Sequence, residues 1–140
     1  MATSFKYRAD DKGVYRPYIP IRLTHKDKHI DVLALLDSGA DACFIPRGLG
    51  EYLGYDLNQE GEYSYGVNSK FKVLRSTITI TIKIDHRDYT IPAVPVNICL
   101  EDEKDKDLKT FILLGRRKFF DEFEVRIREK DKKVYIKKTD

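Results

Sequence analysis

The residues with the clearest potential for chemistry are Asp37, Ser38 and Gly39, which end an apolar run of β-strand length from Leu33 to Leu36. A strand of this kind is normally buried on at least one face, so Asp37 is expected at the mouth of a core. A carboxylate near low dielectric must be neutralised, hydrogen-bonded or paired, because an isolated buried charge is costly. The pattern therefore predicts a site at which the proton affinity of Asp37 is tuned.

The same three residues also fit an ordinary turn. Asp and Ser side chains hydrogen-bond to nearby backbone, and Gly adopts a positive φ without strain. Taken alone, this stretch leaves the catalytic and the turn interpretation open.

The composition is that of one soluble globular domain. The chain has 140 residues, of which 41% are hydrophobic and 35% charged, enough for one well-buried core. We expect a single domain over residues 1–140, with an N-terminal arm over 1–16 and a C-terminal hairpin over 124–140. The 26 basic and 23 acidic residues are interleaved, so a nucleic-acid partner is not expected.

Membrane, metal and redox chemistry find no support in the sequence. No apolar run approaches membrane-spanning length, and residues 1–10 lack an apolar segment, so we expect no membrane partner and a cytoplasmic location. Cys43 and Cys99 have no metal or redox spacing and lie in apolar surroundings, which predicts buried thiols. His25, His29 and His86 fall in predicted turns, so no metal site is expected.

Strands dominate the elements that must position Asp37. The clearest is Thr77–Ile84, in which isoleucine alternates with threonine or lysine, so that the isoleucines face inward. Further strands are predicted at Tyr18–Thr24, Ile30–Leu36, Tyr89–Val96 and Thr110–Leu114, and in a terminal hairpin of Val125–Arg128 with Val134–Lys137. Pro17 and Pro20 restrict the first of these strands to a sheet edge or its first residues.

The segments between the strands are irregular, hairpin-like or helical. Glu62–Phe71 is predicted to be an exposed hairpin tip, and Glu101–Lys109 a solvated charged loop. Arg116–Phe123 is predicted to form two helical turns with three phenylalanines on one face, and Gly48–Gly54 one further turn. The predicted fold class is all-β: a small closed antiparallel barrel with one short helix near the C-terminus.

Two segments together resemble the retropepsin-like, or retroviral-type, aspartic proteases. Leu35–Asp41 (LLDSGAD) matches the apolar-apolar-Asp-Thr/Ser-Gly-Ala loop of that family, and Phe111–Arg116 (FILLGR) matches its later apolar-apolar-Gly-Arg segment. The resemblance extends over about Tyr18 to Phe123. It implies a barrel of the acid-protease type in which the second segment crosses behind the active site.

The resemblance also implies residue roles. It makes Asp37 the catalytic aspartate, Ser38 the hydroxyl residue that interlocks across a dimer axis, and Gly39 the point of close approach to substrate. Ala40 completes this active-site loop, Asp41 holds the substrate main chain, and Arg116, with Gly115 before it, braces Asp41. The substrate-covering flap corresponds to Tyr65, Gly66, Val67 and Asn68.

Peptide hydrolysis by this route requires two carboxylates that share a proton, one acting as base on a water and one as acid toward the carbonyl oxygen. The chain contains a single suitable Asp-Ser-Gly, because Asp11-Lys12-Gly13 lacks a preceding apolar strand. An active enzyme must therefore be a homodimer that brings together two copies of Asp37, which titrate as a coupled pair. Its substrate is a peptide or protein, and no cofactor is implied.

Alternatives and finer expectations follow from departures from the family pattern. The flap segment lacks a glycine-rich run, which motivates a second interpretation: a dimer that binds peptide or protein without efficient cleavage. A third is a structural or nucleic-acid-binding barrel in which Asp-Ser-Gly is only a turn.

For an active enzyme, Ala40 in place of a hydroxyl donor predicts that activity is highest at mildly acidic pH. Val67, Phe71, Ile45 and Val94 are the predicted liners of an apolar pocket.

Overall fold

The computed structural model describes residues 2–66, 69–101 and 112–140. They form twelve strands and two short helices, in agreement with the all-β prediction. The strands in chain order are β1 (Thr3–Lys6), β2 (Arg8–Ala9), β3 (Tyr15–Arg16), β4 (Tyr18–His25), β5 (Lys28–Leu36), β6 (Cys43–Ile45), β7 (Glu62–Gly66), β8 (Ser69–Ile84), β9 (Arg87–Cys99), β10 (Leu113–Leu114), β11 (Phe123–Arg128) and β12 (Lys133–Lys138). The helices are α1 (Arg47–Tyr52) and α2 (Phe119–Glu122).

The main sheet closes on itself. Its order is β4-β5-β10-β6-β9-β8-β7, and β4 also pairs with β8, so six strands form a barrel and β7 extends from it. The pairing that closes the barrel joins Arg22–Thr24 to Thr79–Thr81. The predicted small closed barrel is therefore confirmed.

Two strand pairs depart from a purely antiparallel barrel. β5 pairs with β10 in parallel, and so does β6 with β9. The loop after β5 reverses the chain into β6, and the two-residue strand β10 lies between β5 and β6. Since β10 runs parallel to β5, it runs antiparallel to β6 at Leu113 and Phe44.

The alternation in β8 sets one wall of the core. Ile78, Ile80, Ile82 and Ile84 are each no more than 2% exposed, as the period of two predicts. Pro20 lies inside β4 next to Leu33 of β5, while pairing with β8 begins beyond it at Arg22. At Pro20, β4 is therefore paired with β5 alone. The proline, which has no backbone N–H, can lie there without the loss of a hydrogen bond between strands.

The two chain ends meet in a separate three-stranded sheet of order β1-β12-β11. The N-terminal arm contributes β1, which runs antiparallel to β12 from Thr3 opposite Ile136 to Lys6 opposite Lys133. The arm then forms the small β2–β3 hairpin. Ile136 and Val134 of β12 are fully buried, so this sheet packs onto the same core as the barrel.

Three local predictions need correction. The helix predicted over Arg116–Phe123 is limited to Phe119–Glu122, because Lys118 has φ 71° and Phe123 is already extended at the start of β11. The turn predicted at Gly48–Gly54 is α1, shifted to Arg47–Tyr52. His25 and His29 lie in strands rather than turns, and His25 stacks on Tyr55 with ring centroids 3.7 Å apart.

Burial in β8 leads to a stability prediction. Replacing Ile82, which is 1% exposed, by Ala leaves a cavity and should lower the free energy of unfolding by about 2–5 kcal/mol. The control is Lys83→Ala on the outer face of the same strand, whose ion pair with Asp88 is solvent-exposed; about 1 kcal/mol or less is expected there. Urea unfolding of both variants measures the difference, and equal losses would contradict the inward alternation of β8.

Candidate active site

Asp37 follows β5 directly, and backbone hydrogen bonds fix its position. Its N–H donates to the Leu114 carbonyl at 3.0 Å, and the preceding Leu36 N–H donates to the Pro17 carbonyl at 3.0 Å. The residue before that, Leu35, donates to the Ile112 carbonyl at 2.8 Å. Asp37 itself is partly buried, between the buried Leu36 at the end of β5 and the exposed Ser38 and Gly39. The expected position at the mouth of the core is therefore observed.

The loop after Asp37 is a tight turn centred on its carboxylate. The Gly39 N–H donates to Asp37 Oδ1 at 2.9 Å, and the Ala40 N–H donates to the Asp37 carbonyl at 3.2 Å. The turn interpretation of Asp-Ser-Gly is thus correct as local geometry. It is also compatible with chemistry, because a backbone donor aimed at a carboxylate holds the side chain in one orientation.

The second segment lies against this loop through its backbone. The Arg116 N–H donates to the Ala40 carbonyl at 2.8 Å, and the Arg117 N–H donates to the Asp41 carbonyl at 2.9 Å. Gly115 packs so closely that an added Cβ would overlap the Ala42 carbonyl oxygen and lie 2.9 Å from that of Ala40. A side chain is therefore excluded at Gly115. Sequence reasoning did not identify Arg117, whose contribution is a main-chain donor.

Asp41 and Arg116 form the ion pair that the sequence led us to expect. Arg116 Nη2 lies 3.1 Å from Asp41 Oδ1, with 76% of the Asp41 side chain and 55% of the Arg116 side chain exposed. An exposed pair of this kind contributes about 0.2–1 kcal/mol to stability, so the backbone bonds hold the loop more than the side chains do. Both groups remain accessible to a ligand.

A hairpin of β7 and β8 contacts β6, the strand that follows the loop. Tyr65, with 74% of its surface exposed, pairs with Lys70, and Gly66 pairs with Ser69. The aromatic ring of Phe71 lies 6.0 Å from that of Phe44, which is in β6 just beyond the loop. This contact, which sequence reasoning missed, connects the hairpin to the segment that leaves the candidate site. Two predicted flap residues, Val67 and Asn68, lie outside the described residues.

The predicted apolar pocket is wrong in part. Ile45 is 1% exposed and Val94 is 0% exposed, so both belong to the core and present no surface to a ligand. The inward alternation of β6 and β9 takes both residues into the barrel. Phe71 is partly exposed and stays a candidate, whereas Val67 is outside the described part of the chain.

Burial also affects the thiol beside the site. Cys43 begins β6, accepts a hydrogen bond from the Gly115 N–H at 3.5 Å, and is 4% exposed. Burial raises the pKa of this thiol from 9.0 to about 11, with the Gly115 donor opposing the shift. Cys99 is likewise a buried thiol.

Within the described ranges, no group of three or more His, Cys, Asp and Glu could hold a metal ion. No helix there could cross a membrane.

A solved structure shares this arrangement of strands. It is a retropepsin-like aspartic protease from Rickettsia conorii, matched with a TM-score of 0.61 over 97% of this chain and 90% of that one, at 17% sequence identity. The chain has the retropepsin-like fold. No protein-family model matches the sequence, and no curated protein does. The resemblance read from the Asp-Ser-Gly and Gly-Arg segments is thus confirmed in the fold.

The packing of Gly115 gives a prediction about the loop. Gly115→Ala should lower the free energy of unfolding by about 2 kcal/mol or more, because the new methyl must displace the Ala40–Ala42 backbone. The control is Gly13→Ala, where φ is 80° and nothing lies within 4 Å; about 1 kcal/mol is expected from the backbone alone. Denaturant unfolding compares them, and a milder effect at Gly115 would argue against the close crossing.

The pKa of Cys43 gives a prediction about reactivity. At about pH 8 a thiol of ordinary pKa is roughly a tenth ionised, whereas one at about 11 is roughly a thousandth ionised, so native Cys43 should resist alkylation. Because the folded pKa is raised, the stabilisation from this group is complete below pH 9 and is lost as pH rises toward 11. Iodoacetamide labelling with peptide mass mapping, native against urea-unfolded, measures the protection. Equal labelling in both states would refute it.

Proposed function

We propose that this protein is an aspartic endopeptidase that hydrolyses peptide bonds as a homodimer, with residues 1–140 as one domain. The observation that carries the proposal is the loop from Asp37 to Asp41, bound from behind by the backbone of Gly115 to Arg117, in a chain with the retropepsin-like fold. The fold alone does not assign an activity, because one fold supports many functions. The Asp37 carboxylate at the mouth of the core supplies the acid–base group that peptide hydrolysis requires.

The mechanism requires a second carboxylate. Each chain provides one Asp37 in this setting, so a second copy must supply the other across a two-fold axis. One carboxylate, ionised, takes a proton from the attacking water, and the other, protonated, donates its proton to the carbonyl oxygen. The resulting tetrahedral diol collapses with proton transfer to the leaving amine. Two carboxylates this close cannot both ionise, so they titrate as a coupled pair.

The remaining site residues position the substrate. Gly39, without a side chain, lets the peptide backbone approach Asp37, and Ser38 makes the contact across the two-fold axis. Asp41 binds the substrate main chain while Arg116 orients it, a role consistent with the exposure of both side chains. We propose that the hairpin residues Tyr65, Gly66, Val67 and Asn68 cover the bound peptide.

The experiment is digestion of casein across pH, with the molecular mass in solution measured on every sample. Asp37→Asn should lower the rate by at least about 100-fold, since it removes both acid–base carboxylates of each dimer, with the fold and the dimer retained. Asp85→Asn, the same replacement in the exposed β8–β9 turn, is the matched control and should retain activity. The optimum should be mildly acidic.

The other possible outcomes would each favour a different function for this protein. A folded dimer without cleavage at any pH would favour the peptide-binding interpretation, which the absence of a glycine-rich flap motivates. A stable monomer indifferent to Asp37→Asn would reject the proposed chemistry.

A further inference from the structure

The outer face of the three-stranded sheet β1-β12-β11 is rich in cations. In β12, Val134 and Ile136 are fully buried, so the residues that alternate with them point to the opposite face of the sheet. The neighbouring strands follow, because side chains of directly opposite residues share a face. The side chains grouped in this way, here called the basic face, are those of Lys6, Arg126, Arg128, Lys133, Lys137 and Tyr135.

The positive charge of the basic face is only partly neutralised. Glu124, opposite Lys137, is the one carboxylate on the same side of the three strands, and Asp131 in the β11–β12 turn pairs with Arg128 at 2.9 Å. The other four cations form no ion pair with any described residue. Five cations against two carboxylates leave an excess of three, which equals the net charge of the whole chain, +3. Charges that are interleaved along the sequence are thus sorted onto one face by strand pairing.

One row of the basic face sets like charges directly opposite one another. Lys6 of β1 is opposite Lys133 of β12, and Lys133 is opposite Arg128 of β11. Like charges in opposite positions destabilise a sheet. The row spans about 10 Å, since neighbouring strands are about 4.8 Å apart. A ligand with several negative charges in a line would therefore relieve this repulsion.

The next row of the basic face supplies an aromatic ring. Tyr135 is partly exposed in the middle strand, and Arg126 Cζ lies 4.4 Å from the centre of its ring, a cation–π contact. Aromatic rings and guanidinium planes are the surfaces on which the bases of single strands stack. A ring of this kind beside a row of cations is the combination that single-strand binding uses.

The row of cations leads into a cleft at the edge of β1. The cleft has a volume of about 410 Å³, and its lining includes Ser4 and Lys6 of β1, Arg8 of β2, and Tyr18 and Pro20 of β4. Arg8 is exposed and has no ion pair with any described residue. Because Lys6 belongs to both the basic face and the cleft, a ligand that crosses the sheet from β11 to β1 reaches Arg8 next.

We propose that the basic face and the adjoining cleft bind single-stranded nucleic acid. Phosphates contact the row of Arg128, Lys133 and Lys6 and continue to Arg8, while a base stacks on Tyr135. The interleaved charges of the sequence gave no reason to expect such a partner, and the register of the terminal sheet provides one. This function is additional to peptide hydrolysis and does not depend on it.

Other occupants fit the basic face less well. Extended peptides gain much of their affinity from main-chain hydrogen bonds, and the middle strand β12 is already paired on both sides. A membrane surface would favour exposed apolar side chains beside the cations, but Ile127, which is 48% exposed, lies on the opposite face of the sheet. A second copy packed symmetrically on this face would bring the same cations together.

The test is fluorescence anisotropy of labelled oligo(U) and oligo(dT) of about 12 nucleotides, titrated with protein at several salt concentrations. Wild-type protein should bind with a Kd of about 1–100 μM at about 100 mM salt. The logarithm of the binding constant should fall with the logarithm of the salt concentration with a slope of about −2 to −3. Each of three or four phosphates contributes about −0.7 to that slope.

Two kinds of variant separate the phosphate contacts from stacking. Lys6→Glu/Lys133→Glu should weaken binding at least about 10-fold and flatten the salt slope by about 1 to 2, and Lys6→Gln/Lys133→Gln should do the same to a smaller extent. Tyr135→Leu should weaken binding about 5-fold or more with the slope unchanged, because stacking releases no counterions.

The control is Lys26→Glu/Lys70→Glu, which changes the net charge equally at two exposed lysines in the β4–β5 turn and in β8. It should bind the oligonucleotides within about 3-fold of wild type, since charges outside the basic face act only through screened solvent. Urea unfolding and the molecular mass in solution, measured on every variant, show that the fold and the oligomeric state are retained.

Several outcomes would overturn the proposal. These are no binding at about 50 mM salt, equal weakening in the control, or a duplex bound as tightly as the single strand with no effect of Tyr135→Leu. Polyglutamate or anionic vesicles that displace the oligonucleotide at lower charge concentration would favour an acidic protein or a membrane instead. A Lys6→Glu/Lys133→Glu protein of altered mass would identify the basic face as a subunit interface.

The two proposals fail separately. Lys6 and Lys133 lie outside the residues proposed for hydrolysis, so their charge reversal should abolish nucleic-acid binding while casein cleavage persists. Oligonucleotide binding in a protein that cleaves nothing would reject the protease and support the basic face.

Discussion

The candidate site depends on one contact, the backbone crossing of Gly115–Arg117 behind the loop that carries Asp37. Two N–H groups of the crossing segment donate to the Ala40 and Asp41 carbonyls, and the close approach requires a residue without Cβ at position 115. Without this crossing, the carbonyls of an irregular loop at the edge of a core would need water or other partners. The geometry of the site is therefore set by main-chain hydrogen bonds, with side chains added to them.

The barrel topology follows from the same crossing. β10 has two residues, yet it pairs with both β5 and β6 and so connects the strands on either side of the Asp37 loop. Because β5 and β6 are joined by a reversal of the chain, a strand between them is necessarily parallel to one and antiparallel to the other. The parallel β5–β10 pair thus follows from the position of β10 between the two strands that flank the Asp37 loop. The exposed Asp41–Arg116 ion pair adds little stability to this arrangement.

Elements whose pattern is local were predictable from the sequence. The isoleucine alternation in β8, the hairpin of β4 and β5 and the terminal hairpin each carry a periodicity that neighbouring residues determine. The parallel β5–β10 pair was not predictable, since its partners are far apart in sequence and each pattern is also compatible with an antiparallel neighbour. The helix was overestimated because Phe119 and Phe123 have helical spacing, whereas Phe123 reaches the core as the first residue of a strand.

The same distinction explains which site residues could be found. Asp37, Gly115 and Arg116 belong to two short motifs whose residue types are required by contacts inside the Asp37 loop or between the two segments, so the sequence retains the signal. Ile45 and Val94 were assigned to a pocket on polarity alone, and polarity does not distinguish a core residue from a pocket residue. The pairs Tyr63–Lys72 and Tyr65–Lys70 of the β7–β8 hairpin have the opposite character: alternation made the tyrosines visible in the sequence, but strand register was needed to place the lysines opposite them. A surface of this kind is specified by pairing between strands, so the hairpin is packed against the protein on one face and exposed on the other.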